Sequence, residues 1–85
     1  MAKRYIYGVR ITHRTERVPE VQKLLTEYGC NIKTRLGLHN VGADYCAPDG
    51  LVILEMYGDE GEIQALWDKL SAIPGLELQK MVFAD

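Results

Sequence analysis

Apolar and polar positions change their period several times along the chain. From Arg4 to His13 they alternate, with Tyr5, Tyr7, Val9 and Ile11 on one face, and the alternation predicts a strand. From Glu16 to Tyr28 the apolar residues Val18, Val21, Leu24, Leu25 and Tyr28 recur at helical spacing. Pro19 suits the first turn of such a helix, where a missing N–H costs nothing, and Gly29 suits its stop. Alternation returns from Asn31 to Val41. It places Ile32, Leu36 and Leu38 on one face and Lys33, Arg35, Gly37 and His39 on the other. Leu51 to Tyr57, "LVILEMY", is almost wholly apolar, as expected of a central strand covered on both sides. Asp59 followed by Glu62 resembles a capping box and opens a helix whose buried stripe is Ile63, Leu66, Trp67, Leu70 and Ile73. Pro74-Gly75 ends it, and Leu76 to Phe83 reads as a last strand.

The order is β-α-β-β-α-β, the split motif of an α+β, ferredoxin-like fold: one domain over residues 1–85, with a four-stranded antiparallel sheet and two helices on one face. The expected strand order is 4-1-3-2, with the first and third strands read as parallel neighbours. Helices then cover a single face. Yet the third strand offers Val52, Leu54 and Met56 to one face and Leu51 and Ile53 to the other, and Ile6 stands opposite the tyrosines. An apolar second face on a small domain points to a partner subunit, hence a homo-oligomer, a dimer or a tetramer. Gly8, in mid-strand, marks a close approach of another backbone.

Composition narrows the function classes. Hydrophobic residues are 47% and charged residues 26% of the chain, the balance of a folded domain and not a disordered one. The net charge of -2 argues against direct nucleic-acid binding, which needs a basic face. No apolar run is long enough for a membrane span, and the start "MAKRYIYGVR" lacks the apolar core of a signal peptide, so a cytoplasmic location is expected. Cys30 and Cys46 form no disulfide framework and read as free thiols; Cys30 is expected to be a small buried residue. Trp67 is expected in the core.

The candidate chemistry concentrates in Gly37–Leu51, "GLHNVGADYCAPDGL". His39 and Cys46 are good ligands for nickel or zinc, with Asp44 or Asp49 to add an oxygen. Two ligands do not close a site. His13 is a third candidate, but the second strand is expected to run antiparallel to the first, so that His13 and His39 lie at opposite ends of the sheet, on the order of 25 Å apart, and only a second subunit could join them. A reactive thiol at Cys46 would need a nearby cation, and its neighbours Asp44, Tyr45 and Asp49 are not cations. The plain alternative is a shaped loop, because "APDG" at Ala47–Gly50 is a strong turn signal. Arg10, Lys33, Arg35 and His39 form either a polar patch on the outer side of the sheet, suited to an anion, or a solvated face. There is no glycine-rich phosphate loop, nucleophile triad or carboxylate pair, so a binding or regulatory role without a cofactor is expected, not an enzyme.

The motifs "GLHNVGADYC", "GLVILEMYGDE" and the closing "QKMVF" resemble a family of small proteins described as iron-only hydrogenase system regulators, over almost the whole chain. Members of that family look like stand-alone ACT-type domains. The resemblance implies an oligomeric, ligand-sensing regulator. ACT-type domains bind small molecules at subunit interfaces, often through the loop after the first strand, which here is Thr12, His13, Arg14 and Thr15. That loop adds His13 and Arg14 to the ligand-binding candidates His39, Tyr45, Cys46 and Arg35, which come from the polar Gly37–Leu51 stretch and the outer sheet face. A more distant likeness is to the ACT-like C-terminal domain of nickel-responsive repressors. Their His-x-His pair is matched by His39 in its second position, with Gly37 in its first, and Cys46 falls one residue later than their cysteine.

Overall fold

The computed structural model describes residues 3–11, 14–41 and 46–84, and at 14–18, 38–41 and 46–49 it describes the backbone alone. The elements are β1 (Lys3–Ile11), α1 (Arg14–Glu27), a 3-10 turn (Gly29–Asn31), β2 (Ile32–Val41), β3 (Cys46–Met56), α2 (Glu60–Ser71) and β4 (Leu76–Ala84). They form the expected ferredoxin-like α+β fold, with sheet order β2-β3-β1-β4.

Alternation and helical stripes converge on one core. Tyr7, Val9 and Ile11 of β1 and Leu54 and Met56 of β3 are buried against Val21, Leu25 and Tyr28 from α1 and its end, and against Ile63, Leu66, Leu70 and Ile73 from α2 and its end. The Tyr7 hydroxyl donates to the Ile63 carbonyl at 3.0 Å, and its ring lies 4.9 Å from that of Trp67, which is partly buried against the core. Burial is the first cause that pushes the Tyr7 phenol up to about 12, followed by the charges of Tyr5 and Asp68. Asp59 caps α2 as expected: its Oδ2 accepts from the Glu62 backbone N–H at 3.0 Å. Pro19 falls in the second turn of α1 and not its first, because the helix begins at Arg14, and it removes one intrahelical donor.

Three expectations are corrected. All ladders are antiparallel, that of β1 with β3 included. β1 and β2 therefore both run opposite to β3 and share a direction. Ile11 and His39 are both register partners of Gly50. Their backbones stand two strand spacings apart, about 10 Å, at one end of the sheet, and not at opposite ends. Second, β3 starts at Cys46 and absorbs Ala47–Gly50, the stretch expected as a turn. Pro48 is tolerated there because the β1 ladder ends at the Ile11–Gly50 pair, which leaves no β1 donor or acceptor for it to meet. Third, Cys30 is exposed, since it lies in the 3-10 turn beyond the end of α1 and not on the buried stripe.

A register shift between Ile32 and Thr34 corrects β2 as well. Ile32 pairs with Met56 and Thr34 with Glu55, so two residues of β2 span one of β3 and Lys33 is the extra one. Beyond this bulge the faces exchange. Ile32 packs against the core, whereas Leu36, opposite Ile53, is 52% exposed on the other side.

Candidate functional site

The sheet face away from the helices carries an apolar depression of about 370 Å³. Ile6 and Gly8 of β1, Leu51 and Ile53 of β3, and Gln79 and Met81 of β4 line it. The register explains the grouping. Gly8 sits between Ile53 and Gln79, and Ile6 beside Met81. Leu36 extends the band across Ile53, and Phe83, 49% exposed, extends it along β4. Gly8 forms the floor. Its φ is not positive, and a Cβ there would meet Gln79 O at 3.8 Å and Ile53 Cδ1 at 3.9 Å, which are ordinary contacts. Neither backbone strain nor crowding within the chain requires a glycine at this point.

The depression reaches toward the end of the sheet that carries the sequence candidates. Leu51, on its rim, follows Gly50, the register partner of both His39 and Ile11. Cys46 opens β3 opposite Val41, after a second register shift between His39 and Val41. The structure thus brings the backbone positions of His39 and Cys46 to one end of the sheet. Their side chains, and Tyr45 and His13 altogether, lie outside the described residues, as do Asp44 and Thr12. Arg14 is the first residue of α1, with its backbone alone described. Among the described residues no group of three or more His, Cys, Asp or Glu side chains is placed to hold a metal ion.

The basic residues do not form one outer patch. Arg35 pairs in register with the buried Leu54 and donates to the Gln22 side chain of α1, which places it on the helix side. Arg10 lies on the outer side, beside Leu51, and its Nη1 is 3.1 Å from the Glu77 carboxylate across the β1–β4 ladder. The exchange of faces at the bulge is what separates Arg35 from Arg10.

Sequence reasoning missed a second concavity, a cleft of about 390 Å³ at the opposite end of the sheet. Lys3, Arg4, Lys33, Glu55, Tyr57 and Gly58 are among its walls. The signal available in the sequence was the basic start of the chain, but nothing in the alternation tied it to Lys33.

No family model matches the chain, and no curated protein matches it. Solved structures do. An uncharacterized protein from Thermotoga maritima is 24% identical, with a TM-score of 0.80 over 98% of this chain and 100% of that one. A nitrogen regulatory PII-like protein from Thiomonas intermedia, solved with ADP, AMP and bicarbonate, is 12% identical, with a TM-score of 0.59 over 99% and 96% of the two chains. A protein from an uncultured marine organism, described as dimeric and ferredoxin-like, is 11% identical, with a TM-score of 0.51 over 94% and 92%. These likenesses concern the fold.

Proposed function

We propose that this chain is an ACT-like regulatory binding module that works as a homo-oligomer, a dimer or a tetramer. A small effector would be taken where copies meet, beside His39, Tyr45 and Cys46. The observation that carries the reading is the apolar outer face around Gly8. Among the described residues five large apolar side chains are 46–64% exposed, and three of them, Leu36, Met81 and Phe83, belong to this band. A contiguous band of this kind on a monomer marks a contact surface. Gly8 adds to the argument, because its lack of a side chain is explained by nothing inside the protomer. The dimeric description of one structural neighbour and the regulatory, ligand-bound description of another support the reading. The motif resemblance supports extending the reading to control of an iron-only hydrogenase system. The role is binding and not catalysis, and the partner is neither nucleic acid nor membrane; among the described residues no helix is long and apolar enough to cross a bilayer.

Native mass spectrometry tests this directly, since it reports subunit number and any retained small molecule together. A multimer is expected, with its population shifted by an effector through mass action. A single protomer at every accessible concentration overturns the proposal.

The register favours a second reading, a nickel or zinc site shared at the same end of the sheet. His39 and Ile11, the last described residue of β1, are both register partners of Gly50, so β1 ends at the same end of the sheet as His39. Elemental analysis after equilibration with either metal, with His39→Ala as control, decides it. Metal bound by the wild type and lost in the variant supports it; no bound metal removes it.

A further inference from the structure

We propose that the cleft at the far end of the sheet binds a phosphate monoester attached to a flat ring, of the size of a nucleoside monophosphate. This site is separate from the outer-face depression and does not depend on assembly.

The cleft arises from strand lengths. The β1–β3 ladder begins at Ile6–Glu55, and β3 ends at Met56, while β1 extends back to Lys3. The lane that β3 vacates is left open between Lys3 and Arg4 on one side and the start of β2 on the other. The bulge puts its extra residue, Lys33, at this wall. A bulge is a common device for re-aiming one side chain at a site. Three cations thus face a space of about 390 Å³, within the range of small-molecule sites.

No ion pair among the described residues engages Lys3, Arg4 or Lys33; those of Arg10 with Glu77 and Lys69 with Glu27 lie apart from the cleft. Among the described residues the wall carries one carboxylate, Glu55, which accepts from the Thr34 hydroxyl at 3.0 Å. Three cations against one carboxylate give a positive hollow in a chain whose net charge is -2. A dianionic group such as a phosphate monoester matches that excess.

The ring requirement comes from Tyr57, which is 64% exposed on a backbone held from both directions. Its N–H donates to the Asn31 carbonyl at 2.7 Å, and the Asn31 Nδ2 donates to its carbonyl at 3.2 Å. The next residue, Gly58, has φ +99°, and a Cβ there would lie 3.1 Å from the same Asn31 Nδ2. Only glycine fits both conditions without strain. A large aromatic ring left in water on a pinned backbone, beside unpaired cations, is a stacking platform next to a phosphate seat.

Titration calorimetry of the whole protein with AMP, adenosine and inorganic phosphate tests the proposal. AMP is expected to bind roughly tenfold or more tightly than either fragment, because charge and stacking act together. Lys33→Ala is expected to weaken AMP about tenfold, and Lys33→Glu more. Tyr57→Ala is expected to bring AMP down to the level of phosphate. Both positions are exposed, and unchanged thermal unfolding of each variant confirms that it folds. AMP binding no tighter than phosphate, or AMP affinity unchanged in both Lys33 variants, overturns the assignment.

Discussion

Ile32 and Leu36 face opposite sides of the sheet although an even number of positions separates them, because Lys33 is an inserted residue in the β2 ladder. The pair makes a contrast that stability and association measurements can separate. Ile32→Ala removes a side chain packed against the core and is expected to cost on the order of 1–3 kcal/mol in denaturant unfolding. Leu36→Ser acts on a side chain that is 52% exposed, so unfolding at high dilution should change by no more than about 0.5 kcal/mol. The same variant should weaken self-association, read by sedimentation. A large unfolding penalty for Leu36→Ser together with intact association would contradict the exchange of faces.

Gly8 gives a sharper probe of the outer face. An added methyl meets only ordinary contacts, and in mid-strand alanine is favoured over glycine by roughly 0.5–1 kcal/mol. Gly8→Ala is therefore expected to leave the folded protomer as stable or more so. Gly8→Leu fills the depression and should shift the oligomer toward protomers, visible as a concentration-dependent mass by light scattering. Unaltered assembly in Gly8→Leu would mean that the depression is not where copies meet.

The fold was legible in the sequence because its signals are local and redundant. Tyr5, Tyr7, Val9 and Ile11 alternate, the α2 stripe repeats at helical spacing, and Asp59 with Glu62 announces the cap; each agrees with the others. What escaped was non-local. Alternation fixes which residues of β2 share a face only if no residue is inserted, and the insertion at Lys33 is visible only against the β3 register. Strand direction was misjudged for the same reason: that β1 and β2 run the same way follows from β3 lying antiparallel between them, not from either strand alone. Cys30 read as buried because a free cysteine at the end of a helix is most simply a small buried residue, yet α1 ends before it. The His39–Cys46 stretch was legible as a concentration of chemistry, while the cleft at Lys33 and Tyr57 combines residues from three separate strands and strand ends.

The cap of α2 supports a double-mutant prediction. Asp59 Oδ2 bonds the Glu62 N–H, and a Cβ on Gly61 would stand 2.8 Å from that same oxygen. Asp59→Ala alone is expected to cost about 1 kcal/mol. Gly61→Ala alone should give little, because the roughly 1 kcal/mol of helix propensity is offset by displacement of the cap. In the Asp59→Ala background the same Gly61→Ala change should stabilise by its full propensity value. A coupling energy near zero in this cycle, measured by urea unfolding, would contradict the shared use of that oxygen.

Alkaline pH should loosen the protein through three groups of the same sign. The Tyr7 phenol is pushed up to about 12 by burial first. The Tyr5 phenol is raised chiefly by its 2.7 Å hydrogen bond to Glu60, with desolvation and the Glu60 charge adding to it. The Lys69 ammonium is raised by the Tyr28 hydroxyl and then by Glu27, against a smaller opposing effect of desolvation. Each holds its proton more tightly folded than unfolded. Their stabilisation is complete below the unfolded values of 10.0 to 10.5 and is lost as pH rises through the folded ones. Unfolding midpoints taken in steps across this range should decline between pH 10 and about pH 12, the folded value of Tyr7. Tyr7→Phe, which loses the hydroxyl and its bond to Ile63, should be less stable at neutral pH by roughly 0.5–1.5 kcal/mol and should show a shallower alkaline decline. An equally steep decline in Tyr7→Phe would mean that the buried phenol does not carry the alkaline loss of stability.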